Sequence, residues 1–107
     1  MLPGDEESRM TPQDQAAATD RLRRALLAFQ AALNLLLGAE RRLKGLPRAE
    51  VDAFWDGEGR RVEATVRAAA TEAVAAFQRF SAAGLVAGAG DRHLATQAQR
   101  YLAERAK

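Results

Sequence analysis

The chain has no cysteine and no isoleucine, and in 107 residues only one histidine, one tryptophan, one tyrosine and three prolines. Without cysteine there can be no disulfide, thiolate zinc site or cysteine nucleophile, and the redox compartment leaves no mark on the composition. The single histidine, His93, cannot supply the two Glu-x-x-His ligand sets of a di-iron bundle. Strand-favouring residues are scarce, with five valines and six aromatic side chains. The first twenty residues contain no apolar stretch that reads as a secretory leader, so a cytoplasmic protein is expected, or one secreted without a cleavable signal peptide. Long apolar runs are also missing. Residues 25–39, ALLAFQAALNLLLGA, are interrupted by Gln30 and Asn34 and fall short of the roughly 20 residues that span a bilayer, so no transmembrane segment is expected.

What the chain does have is alanine, 25 residues of it, beside 13 leucines. Alanine is the best helix former, but each one removes only about 0.8 kcal/mol worth of carbon from water. A core made this way depends on close helix approach, or on burying further surface against a second chain. Residues 1–10, with Pro3, Gly4 and a charge run, read as a disordered acidic tail. Residues 1–20 hold five acids and one arginine, a net of −4, which leaves +6 of the formal +2 total on the remainder.

Residues 11–107 read as one helical-bundle domain. Thr11 is a good N-cap, Pro12 suits the first helical position, and Asp14 places an acid in the first turn. Leu22, Leu26, Phe29, Leu33, Leu36 and Leu43 follow at helical spacing. Arg41, Arg42, Lys44, Gly45 and Pro47 mark the stop, with Gly45 suited to a left-handed cap. A second stripe, Leu27, Ala31, Leu35 and Gly38, with Leu37 nearby, makes this helix apolar on more than one face. Residues 48–56 predict a short corner helix with Val51, Phe54 and Trp55 facing inward, broken by Gly57 and Gly59. A long helix is expected from about Arg60 to Ala83, with Val62, Val66, Ala69, Ala73, Phe77 and Phe80 inward, forming an antiparallel hairpin with the first. Residues 83–90 read as a glycine-rich hinge. Asp91 is expected to cap a last helix over 92–106 with Leu94, Ala98, Tyr101 and Leu102 on its apolar face. The fold expected is therefore all-α: a long antiparallel helical hairpin with a short corner helix and a C-terminal helix.

No catalytic, cofactor or metal site emerges from the residues. Glu50, Asp52, Asp56, Glu58 and Glu63 crowd the corner, and paired carboxylates could serve acid–base chemistry or hold a hard cation. Arg48, Arg60 and Arg61 lie among them, which makes the corner a solvated, salt-bridged one. Gly88-Ala89-Gly90 lacks both contexts of a phosphate loop, a preceding strand and a following Lys-Ser/Thr pair. The basic clusters Arg21/Arg23/Arg24, Arg41/Arg42/Lys44 and Arg60/Arg61 sit mostly at helix ends and form no stripe, so specific nucleic-acid binding is not expected.

Trp55 and Gly57, with Gly59 and Val62 after them, lie between two long helices in a cysteine-free chain of about a hundred residues. In this the chain resembles the small Trp-x-Gly helical-hairpin proteins exported by type VII (ESX) secretion systems. The resemblance covers roughly residues 12–85 and implies dimerisation into a four-helix bundle. Two features depart from the family's pattern. The short segment 48–56, which carries the tryptophan near its end, follows helix one where the family turns directly, and Tyr101 is followed by Glu104, one position early for a Tyr-x-x-x-Asp/Glu export signal. From the residues themselves the expected function is a non-catalytic interaction module, a structural subunit, adaptor or assembly protein. It would join itself or a helical partner through Leu27, Leu35, Leu37 and Gly38, because a single hairpin buries only one of two apolar stripes. If Trp55 anchors the corner, Trp55→Ala would cost about 3–5 kcal/mol, and Gly57 would hold a positive φ that resists substitution.

Overall fold

The computed structural model describes residues 10–105; apart from Met10, the acidic tail expected over 1–10 lies outside the described residues. Among the described residues there are four helices and no strand. They are α1 (Pro12–Leu43), α2 (Arg48–Asp56), α3 (Glu58–Ala82) and α4 (Ala89–Arg105). The fold is all-α.

α1 begins where its sequence permits. The Thr11 hydroxyl accepts the Asp14 backbone N–H at 3.0 Å, and the Asp14 carboxylate accepts the Thr11 N–H at 3.2 Å, a reciprocal capping box. Pro12 fills the first turn, where no backbone donor is needed. At the other end Gly45 takes φ +82°, a left-handed conformation that glycine adopts without steric cost, and Pro47 starts α2.

α3 returns along α1, and α4 runs back along both. Ala18 and Leu22 share a groove with Ala76 and Phe80, while Ala32 and Leu35 share one with Val62 and Thr65, so α1 and α3 are antiparallel. α4 ends beside Leu33, where its Tyr101 ring meets Phe29 edge-on at 6.3 Å between centroids. The core is Leu22, Leu26, Phe29 and Leu36 of α1 against Val66 and Phe80 of α3 and Tyr101 of α4, with buried alanines from every one of these helices. Ala70, Ala73, Ala76, Ala95 and Ala98 let the backbones close together, and the described residues bury no polar or charged side chain.

Being 17 residues long against 32 for α1, α4 covers only one end of the hairpin. The corner end is two helices thick, with α2 packed on α3. The molecule is a rod, 70 × 22 × 20 Å, whose radius of gyration of 18.3 Å exceeds the roughly 13 Å of a compact chain this size.

Element limits differ from expectation in two places. α3 starts at Glu58, so Gly59 lies inside it rather than breaking the chain. α4 starts at Ala89, so Asp91 stands in its first turn instead of capping it. The expected hinge also contains a defined stop. Gly84, at φ +81°, donates its N–H to the Ser81 carbonyl at 2.9 Å, and Leu85 donates to Phe80 at 3.3 Å. This is a Schellman closure, with Leu85 folded onto the core.

Two adjacent leucines of α1 measure the asymmetry of that helix. Leu26 is fully buried and Leu27 is 55% exposed. Leu26→Ala is expected to cost about 2–5 kcal/mol; Leu27→Ala should stay within about 0.5 kcal/mol of the parent at high dilution. Urea unfolding of both variants at low concentration checks the pair, and equal losses would refute the orientation of α1.

Candidate interaction surface

The residues chosen from sequence as a second stripe of α1 project away from the core. Leu27 is 55% exposed, Leu35 is 65% exposed, and Ala31 between them is exposed as well. A Cβ placed on Gly38 would meet nothing within 4 Å, so the surface there is open. At 3.6 residues per turn these four positions fall on one side of the helix, opposite Leu22, Phe29 and Leu36. Leu37 is exposed too, but two residues on from Leu35 is about 200° around the axis, which places it on another flank. The structure therefore groups Leu27, Leu35 and Gly38 and separates Leu37 from them.

Beside Leu35 lies a groove of about 140 Å³, floored by Ala32, Val62 and Thr65 and rimmed by Glu58 and Arg61. It lies between α1 and α3, where Ala32 and Thr65 are short side chains. Leu46 adds a further exposed leucine just beyond α1.

By length and composition α1 is apolar enough to cross a membrane, with a mean hydropathy of 1.2 over its most apolar 18-residue stretch. One third of that stretch is buried within the bundle. The helix as formed is longer than the apolar segment 25–39 on which the sequence expectation rested.

The corner is built differently from expectation. Val51, Phe54 and Trp55 face inward as expected but are only half-buried, and α2, which packs mainly on α3, contains no fully buried residue. Trp55 lies against the core and meets Phe54 edge-on, with centroids 5.1 Å apart. Gly57 has φ −120°, not a positive value, and a Cβ there would make only an ordinary 3.6 Å contact with the Ala53 carbonyl. The glycine that the tryptophan needs is Gly59. A Cβ on it would stand 2.5 Å from Trp55 Cε3 and 3.0 Å from the Phe54 ring. Gly59 is buried as the floor on which both rings sit. The signal in the sequence is a small residue four positions after Trp55, just past the break at Gly57.

The remaining candidates are dispersed. Asp52 and Asp56 are both exposed; Asp52 lies 3.9 Å from Arg48, with both side chains largely in solvent, where such pairs contribute about 1 kcal/mol or less. His93 is exposed near the start of α4. Arg24 pairs with Asp20 at 2.8 Å along the surface of α1, and the other arginines at the helix ends are exposed. Among the described residues, no three His, Cys, Asp or Glu side chains are grouped as metal ligands would be. No family model, curated protein or solved structure matches the chain.

As the only tryptophan, Trp55 reports on its own seat. Gly59→Ala is expected to displace the indole and shift its emission to the red, with a loss of about 1–3 kcal/mol for the overpacked corner. Gly57→Ala should leave the emission where it is. Trp55→Ala should cost less than the 3–5 kcal/mol of a fully buried ring, since part of the indole already faces water. Fluorescence spectra and thermal melts of the three variants test this; an unshifted Gly59→Ala spectrum would contradict the packing described.

Proposed function

We propose that the chain is a non-catalytic helical interaction module that joins itself or a helical partner protein through the outward face of α1. The observation that carries this reading is the exposure of Leu27 and Leu35 on the side of α1 opposite the core. Apolar side chains aligned along one surface helix lose free energy to water that burial against another helix would return, at about 25 cal/mol per Å². The open groove beside Leu35 adds a concave element to the same surface. A structural subunit, adaptor or assembly protein needs this kind of surface and no reacting groups.

A second reading takes the chain as a hairpin substrate of a type VII secretion system. It is favoured by Trp55 and Gly57 standing at the corner between two long antiparallel helices. It ranks below the first because α2 intervenes in the corner and Arg105, not an acid, stands four residues after Tyr101.

The double variant Leu27→Asp/Leu35→Asp separates surface from core. Its helicity and melting at high dilution should match the parent, because neither side chain is buried. In sedimentation across the micromolar range the parent should exceed the monomer mass or retain a partner from lysate, and the variant should do neither. A parent that stays monomeric and retains nothing would refute the proposal.

A further inference from the structure

We propose that the occupant of this face is a second copy of the same chain, lying antiparallel along α1 about a two-fold axis at Ala31; this rests on the interaction reading above. The spacing of the outward residues carries it. From Asp20 through Arg24, Leu27, Ala31, Leu35 and Gly38 to Arg42 the steps are four, three, four, then four, three, four. That series reads the same from either end. When two such helices run in opposite directions around Ala31, each of these seven positions comes level with one of the seven from the other copy, as an isologous interface requires.

The pairs that result are complementary. Leu27 of each copy comes level with Leu35 of the other and with the groove formed by Ala32, Val62 and Thr65. Asp20, which within its own chain pairs with Arg24 at 2.8 Å, comes level with Arg42, opposite in charge, at both ends of the seam. Arg24 comes level with Gly38, where no side chain stands and a Cβ would touch nothing within 4 Å. The smallest pair, Ala31 with Ala31, lies on the axis and allows the backbones to close. Sliding one copy by a helical turn destroys this. In one direction Arg24 faces Arg42; in the other Leu35 faces Arg23. A parallel copy would set Asp20 against Asp20 and Arg42 against Arg42. Spanning 22 residue steps, the seam is about 33 Å long at 1.5 Å per residue. One helix face of that length covers less than the roughly 800 Å² per partner of a standard interface, so the dimer should be concentration-dependent.

The lack of cysteine makes the register directly measurable, since any introduced thiol is the only one. Ala31→Cys should oxidise to a covalent dimer. Leu27→Cys alone should not, because its two copies would sit about 12 Å apart along the seam, beyond the 4.4–6.8 Å between α-carbons that a disulfide spans. Leu27→Cys mixed with Leu35→Cys should link as a heterodimer. Asp20→Arg and Arg42→Asp should each weaken the dimer several-fold, and the two together should restore it. Efficient self-linking of Leu27→Cys would overturn the antiparallel arrangement. No linking at any of these positions, in a protein that sediments as a dimer dissociated by Leu27→Asp/Leu35→Asp, would overturn the register and leave the interaction surface standing. A monomer at all concentrations would overturn the second copy as occupant, and partner capture would then decide the interaction reading by itself.

Discussion

The close approach of α1 and α3 through alanine is the contact on which the other features depend. Ala32, Ala39, Ala70, Ala73 and Ala76 are all buried, and side chains this small permit close helix packing in a sequence with few large ones. The same shortness limits how much apolar surface the pair removes from water. Five larger side chains, Leu22, Leu26, Phe29, Leu36 and Val66, are fully buried. Leu27 and Leu35 belong to the same helix and are of the same kind, yet they find no place in that core. A helix packed tightly on one side by small residues has its remaining leucines committed to the other side.

α4 completes this arrangement over part of its length only. Tyr101 meets Phe29 edge-on and carries the Arg105 guanidinium over its ring at 5.1 Å. Beyond Leu33 the third helix is gone, and the groove between α1 and α3 is open where Ala32 and Thr65 line it. The exposed leucines at positions 35, 37 and 46 all fall in this thinner half. Of the two leucines that define the outward face of α1, Leu35 lies in this thinner half, whereas Leu27 lies in the thicker one, just before the Phe29–Tyr101 contact.

The elements were legible in the sequence because their signals are local. The capping box at Thr11, the apolar period from Leu22 to Leu36 and the Gly45–Pro47 stop each depend on a few neighbouring residues. The division of α1 into an inward and an outward stripe was legible for the same reason. What escaped depends on contacts between elements. Val66, Ala73 and Phe80 are buried as their spacing predicts, but Ala70 and Ala76 are buried too while Val62, Ala69 and Phe77 are only partly so, because which stripe of an alanine-rich helix faces inward is decided by its partners. Gly57 and Gly59 look alike in sequence, and only the seat of the Trp55 and Phe54 rings distinguishes a turn from a floor. Gly84 shows the reverse case. A glycine-rich stretch that suggested looseness contains a hydrogen-bonded helix stop, which needs Phe80 and Ser81 carbonyls in place to be recognised.

The step from three layers to two divides the rod into parts of unequal cohesion. Amide groups in the thick end share a core with Phe29, Phe80 and Tyr101, so exposing them to solvent requires dismantling most of the molecule. Those of α2 and the adjoining turns of α1 and α3 rest on fewer neighbours, and local opening free energies scale with such contacts. The corner is therefore the part that opens first, ahead of global unfolding, and hydrogen exchange along α1 should quicken from Phe29 toward Leu43. A chain of this design carries its own gradient of rigidity, with one end holding the fold while the other yields.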